Sequence, residues 1–182
     1  MGIKLMLWYL LHDRKKFRSD ILKKLHLLTL ESSEYYPECE TFYSQLDVRN
    51  KVVMDVGCDF GTTPVYFLRK GASAVIGFSK DKQYFRKPHY EHHDLTAEPE
   101  ALSRAIEKIL DSKRESRDPM VLKSDCEGCE WDFTEKFVDR FDDWIIAVHT
   151  PVRNQNLLDH VKKSGKLIGS QKGCEFGIYK KL

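Results

Sequence analysis

Residues 51–61 read KVVMDVGCDFG, and this stretch decides the fold. KVVMDVG (51–57) is apolar, rich in β-branched residues and ends on glycine, which predicts a buried strand. Thr63 and Pro64 follow, an N-cap residue and a proline suited to the first helical position. They predict a helix closing at Gly71. Strand, glycine turn and helix make the first half of a βαβ unit.

The same alternation extends along the chain. SAVIGFS (73–79) predicts a second strand, DKQYFRK a short helix or turn before Pro88, and HYEHHDL (89–95) a weaker third strand. Leu102, Ile106, Ile109 and Leu110 form one apolar stripe of a helix. PMVLKSD (119–125) predicts a fourth strand, and Phe133, Phe137, Val138 and Phe141 one face of a helix running from Trp131 to Phe141. WIIAVHT (144–150) is the most continuous β-run, as expected of a strand buried on both faces. Leu157, Leu158 and Val161 mark a further helix stopped by Gly165, and the tail reads as two strands joined by a tight turn. The fold class is therefore α/β: a Rossmann-like, doubly wound, mainly parallel sheet with right-handed crossovers. A C-terminal hairpin supplies an antiparallel edge strand. Residues 1–50 form an N-terminal helical appendage, and 51–182 the main domain.

Composition fits such a domain. With 41% apolar and 32% charged residues, disordered and fibrous classes are excluded. Residues 1–30 carry seven Lys/Arg against Asp13 and Asp20, a local +5 that leaves −3 for the rest of a chain of net +2. The basic helix from Arg14 to Lys24 suits RNA phosphates, an acidic surface or lipid headgroups, or is a solvated helix face. IKLMLWYLL (3–11) is too short to span a bilayer, which needs about 20 residues. It lacks a small-residue cleavage site and runs into HDRKK, unlike a signal peptide. Five irregularly spaced cysteines do not make a secreted framework, so the expectation is a cytoplasmic protein with reduced thiols.

In an open parallel sheet, ligands bind beyond the carboxyl ends of strands where strand order reverses. DVGCDFG (55–61) lies at such an end. Gly57 permits a sharp turn, Gly61 a tight helix start, and Asp55 can bond loop amides or a ligand ammonium. The G-x-x-x-G spacing is neither the pyrophosphate fingerprint nor a P-loop, which disfavours a nucleotide polyphosphate. A glycine turn without a ligand is the plainer alternative. An acid just before the first glycine resembles the first motif of the Rossmann-like S-adenosylmethionine (SAM)-dependent methyltransferases. That resemblance implies an acid at the end of the second strand for the ribose; Ser79 stands there, with Asp81 two residues on. It also implies that Asp94, after the third strand, faces the adenine amine.

The fourth strand ends in KSDCEGCE (123–130). K-x-D-x-E-G-x-E at this place resembles the signature of the FkbM-like methyltransferases over residues 50–182, with Asp55, Gly57, Gly61, Asp125, Glu127, Gly128 and Glu130 matched. The resemblance implies SAM as cofactor and O-methylation of a small-molecule or glycan-like acceptor. On it, the cofactor residues are Asp55, Gly57, Gly61, Ser79, Asp81, Asp94 and Asp125. Glu127 and Glu130 face the substrate, and Asp125, Glu127 or His149 takes the acceptor's proton. Glu130 alternatively favours a helix N-terminus. Zinc would need four ligands, and the other cysteines are scattered. A thioredoxin-type pair would open the helix after the first strand. Cys126 and Cys129 are therefore read as small packing residues, with no metal. Two rival functions remain: a non-catalytic methyltransferase-fold binding module, and an RNA-directed methyltransferase gripping its substrate with the basic helix.

Overall fold

The computed structural model describes residues 37–58, 61–79, 89–94, 99–113, 118–170 and 176–182. The basic helix at Arg14–Lys24 and Asp81 lie outside these residues. Seven strands form one sheet: β1 (Val52–Val56), β2 (Ala74–Ser79), β3 (Tyr90–Asp94), β4 (Met120–Ser124), β5 (Asp143–Val148), β6 (Gly165–Gly169) and β7 (Gly177–Lys181), in the spatial order β3-β2-β1-β4-β5-β7-β6. The first five strands pair in parallel, and β7 runs antiparallel to both β5 and β6. The expected Rossmann-like α/β sheet is thus the observed one. Its C-terminal pair differs in detail. β7 inserts beside β5, so the antiparallel strand is internal and the edge falls to β6.

Alternation of side chains along each strand divides the core in two. Val52, Met54, Val56, Ile76, Phe78, Leu122 and Ile146 point to one face. There they meet Ile106 and Leu110 of α3 (Pro99–Lys113) and Leu157, Leu158 and Val161 of α5 (Gln155–Ser164). Val53, Val75, Val121, Ile145 and Ile178 point to the other, under Tyr66 and Phe67 of α2 (Thr62–Arg69). That second face is also covered by α1 (Pro37–Thr41) and the 3-10 helix Tyr43–Gln45, through Cys39, Tyr43, Leu46 and Val48. Residues 37–50 are therefore built into the sheet's packing, and residues 36–182 form one compact unit.

Two local expectations are corrected. Thr63 does not cap α2: the N-cap is Gly61 at φ 98°, a left-handed conformation that glycine adopts without strain. Thr63 instead sends its hydroxyl to Asp55. The helix expected over 131–141 is split into a 3-10 turn, Cys129–Asp132, and the four-residue α4, Glu135–Val138. Phe133 is extended, and Thr134 starts the new helix by accepting from the Phe137 N–H. Phe133, Phe137, Val138 and Phe141 still share the core.

Gly57 fixes how closely β1 and β4 can end together. Its φ is +79°, and a Cβ built there would lie 1.8 Å from the Asp125 carbonyl oxygen. Gly57→Ala therefore forces the two loops apart. It should cost about 2–4 kcal/mol from overpacking and left-handed strain, read as a fall in the urea midpoint at unchanged m-value.

Candidate functional site

Strand order reverses between β1 and β4. The chain leaves β1 toward β2 on one side, whereas β4 is followed by β5 on the other. A crevice opens at such a boundary beyond the carboxyl ends of the strands. The sequence places polar residues there on otherwise apolar strands. Asp55 and Lys123 are register partners on β1 and β4, so their side chains emerge on the same face.

Both are fully buried. Lys123 Nζ stands 3.0 Å from Asp55 Oδ1 and donates to the Gly57 carbonyl at 2.6 Å. The Thr63 hydroxyl donates to the other Asp55 oxygen. Burial pushes the Asp55 carboxyl up, opposed by Lys123 and Thr63. Burial alone would lower the Lys123 ammonium, but Asp55 and then Asp125 outweigh it and hold the lysine above its ordinary value. Asp55 is thus engaged by the protein's own cation and the helix start.

Asp125 leaves β4 on the same face as Lys123. Its Oδ2 accepts from the Tyr43 hydroxyl at 2.6 Å, and its Oδ1 lies 3.2 Å from His149 Nε2. His149 follows β5 and is buried. Its other ring nitrogen, Nδ1, lies 2.9 Å from Glu130 Oε1, which also accepts from the His149 backbone N–H at 2.8 Å. Glu130 is fully buried, and its Oε2 accepts from the Gly128 N–H at 2.9 Å. Tyr43, Asp125, His149 and Glu130 form one chain of contacts from three segments: the 3-10 helix at Tyr43, the loop after β4 and the end of β5. Carboxylate oxygens facing both ring nitrogens suit a doubly protonated imidazole, which has a donor on each side. Burial, then the Asp125 charge, raises the Tyr43 phenol well above its usual range, so Tyr43 stays a donor. Glu127 sits exposed on the loop at φ 55°.

The expected residues therefore separate into groups. Asp125, His149 and Glu130 come together; Gly57 and Asp55 lie at the adjoining β1 exit. Ser79 is buried at the end of β2, beside Asp94 in the register. Tyr43 and Lys123 were assigned no role from sequence, and Thr63 only that of a helix cap. A lysine inside PMVLKSD and an aspartate inside KVVMDVG, each breaking an apolar strand, were the signal for the ion pair. Tyr43 is 82 residues from Asp125 and carries no local signal.

Cys126 and Cys129 are joined in a disulfide, which corrects the reading of both as reduced packing thiols. Gly128 at φ +113° and Glu127 at φ 55° fold the loop back, leaving the two Cα atoms 5.5 Å apart, inside disulfide range. The Cys126 sulfur lies 3.4 Å from Glu130 Oε2. Cys58, a free thiol just after β1, is fully buried, 3.7 Å from the Tyr90 hydroxyl. Gly77 makes room for both, since a Cβ there would lie 2.8 Å from the Tyr90 oxygen and 2.9 Å from the Cys58 sulfur.

No family model matches this chain. Protein 158B of Sulfolobus islandicus rod-shaped virus 1 is 32% identical over 124 residues, 66% of this chain and 75% of that protein. Protein 65 of Sulfolobus islandicus filamentous virus (isolate Iceland/Hveragerdi) is 25% identical over 122 residues, 67% of this chain and 74% of that one. The chain belongs to the family of protein 158B. Among solved structures, PRMT6-SAH aligns over 64% of this chain at 15% identity, with a TM-score of 0.45. This chain spans 41% of that structure's length. Among the described residues, no helix is long and apolar enough to cross a membrane.

Two outcomes follow from the site's electrostatics. Coulomb attraction across 3.0 Å is worth about 5 kcal/mol at an effective dielectric of about 20, and desolvating the two ions costs a similar amount. The net pair is near neutral, but removing one partner strands the other. Lys123→Met should destabilise by about 3–5 kcal/mol, and adding Asp55→Leu should restore much of it, measured by chemical denaturation. Because the folded lysine value is raised, its stabilisation is intact below the unfolded value and is lost only as pH climbs through the folded one.

Cys58 is pushed up to about 12, chiefly by burial. At pH 8 only about one thiol in 10,000 is thiolate. Peptide mapping after iodoacetamide treatment should find Cys58 unlabelled in the native chain and labelled after denaturation.

Proposed function

We propose that this chain is a SAM-dependent methyltransferase that transfers the methyl group to a hydroxyl of a small-molecule or glycan-like acceptor. The observation that carries this reading is the Tyr43–Asp125–His149–Glu130 array standing at the carboxyl ends of β1, β4 and β5, where strand order reverses. It is supported by the K-x-D-x-E-G-x-E resemblance, whose residues form much of the array. Gly57 supplies the left-handed bend that this resemblance expects after β1, with its Cβ position taken up by the Asp125 carbonyl. Gly61 starts the adjoining helix, and Ser79 and Asp94 are register partners at the ends of β2 and β3, where ribose and adenine would reach. The fit is incomplete at Asp55, whose oxygens are held by Lys123 and Thr63.

When bound, SAM supplies an electrophilic methyl on a sulfonium that leaves as a neutral thioether. The chain's task is alignment and one proton. Asp125 is the more open partner of the His149 contact, its side chain 16% exposed against 8% for the histidine, so it meets the acceptor hydroxyl and takes its proton. Tyr43 and His149 hold the carboxylate in place, and Glu130 holds the imidazole. Glu127, at the exposed bend, contacts the acceptor. Buried Glu130 is thus a positioning residue rather than a substrate contact.

Calorimetry with SAM and methyl transfer from labelled SAM to a panel of glycosides test this. Micromolar SAM binding is expected in the wild type, in Asp125→Asn and in His149→Gln, with transfer lowered by about 100- to 10,000-fold in Asp125→Asn. No heat at saturating SAM in the folded wild type overturns the reading and leaves a binding module; full transfer by Asp125→Asn overturns the assigned base.

A further inference from the structure

We propose that the reduced form of the Cys126–Cys129 pair binds Zn2+ together with Glu130, so that the disulfide and the metal are alternative occupants of one loop. Among the described residues, these three form the one group whose ligand atoms cluster as metal ligands do, all within 4.8 Å of one another. Two thiolate sulfurs held about 2.3 Å from a tetrahedral zinc sit about 3.8 Å apart, so only a small opening of the reduced pair is required. The cysteines are half-buried and reachable, whereas Glu130 is fully buried and held by the protein.

Glu130 divides its two oxygens in a way that suits such a site. Oε1 is engaged by the His149 ring and backbone. Oε2 faces the Gly128 N–H and lies 3.4 Å from the Cys126 sulfur. A metal on the sulfurs therefore meets Oε2, leaving Oε1 on the imidazole as an outer contact of the carboxylate–histidine kind. Two thiolates and one carboxylate form a soft-to-borderline anionic donor set that favours Zn2+ over Mg2+ or Ca2+. Three protein ligands leave a fourth position for water.

The exchange balances. A dithiol delivers two electrons and two protons to the disulfide and itself becomes a disulfide, leaving Cys126 and Cys129 as thiols. Zinc then displaces the two thiol protons and takes both sulfurs and Glu130 Oε2. In the reverse direction a small-molecule disulfide accepts two electrons from the Cys126 and Cys129 thiolates and leaves as its own two thiolates, and the re-formed Cys126–Cys129 bond expels the metal. The site does not depend on methyl transfer, and its readout needs neither SAM nor an acceptor.

Co2+ serves as the spectroscopic probe on the full-length chain, oxidised or reduced with a trialkylphosphine that leaves as its oxide. The reduced wild type should take up one equivalent with a thiolate-to-cobalt charge-transfer band that Zn2+ abolishes, and the oxidised chain should show none. Cys126→Ser/Cys129→Ser should lose the band although Cys39, Cys58 and Cys174 remain. Glu130→Gln should weaken cobalt binding at least about tenfold, at or above the usual effect of an outer-shell partner. If that variant does not fold, the half-buried Cys129→Ser carries the same test. A missing band in the reduced wild type, an unchanged band in the double serine variant, or full affinity in folded Glu130→Gln overturns the proposal.

Discussion

The Lys123–Asp55 ion pair, buried at the point where the sheet changes direction, sets the geometry of everything beyond the strand ends. Two charges sealed in the interior gain little net free energy from each other, because the cost of leaving water nearly matches their attraction. Their value is positional. Lys123 also binds the Gly57 carbonyl, and Thr63 binds Asp55, so β1, its bend, the start of α2 and β4 are locked to one ammonium. With the bend held there, the Gly57 Cα presses on the Asp125 carbonyl, and no side chain fits between. The lysine also lies 5.2 Å from the centre of the Tyr43 ring, which ties residues 37–50 to the same charge.

From that fixed corner the chain of contacts through Asp125 extends outward. Tyr43 rests on the Val53 and Val121 face, and Glu130 on the loop after β4, so the imidazole and carboxylates are held by both sides of the sheet. Tyr43, Asp125, His149 and Glu130 each have a polar partner, as the low dielectric requires. Such a network resists the loss of one member more strongly than a surface pair would.

The sheet was legible because most of its strands are short, largely apolar runs with glycine or proline nearby, and KVVMDVG and WIIAVHT each needed only local reading. The break after Trp131 was not. Phe133, Phe137 and Phe141 keep a helical period, and the period measures only which side chains share a face. It cannot report that Phe133 turns extended and that Thr134 caps a fresh turn. The α2 cap was misplaced for a related reason, since Gly61 takes its left-handed conformation from the loop around it. Within the site, the acids of KSDCEGCE stood out as a cluster, and His149 as a polar end to a buried strand. Their pairing with Tyr43 comes from a contact across 82 residues of chain, which no local pattern encodes.

The loop from Asp125 to Glu130 must turn two carboxylates onto one imidazole within six residues. An ordinary loop of that length would point successive side chains apart. Here Glu127 and Gly128 adopt positive φ in succession, at 55° and 113°, and reverse the chain. For glutamate that conformation is unfavourable, so something must hold it. The Gly128 N–H bond to Glu130 and the Cys126–Cys129 link both close the same reversal. The cysteines therefore belong to the device that aims the acids.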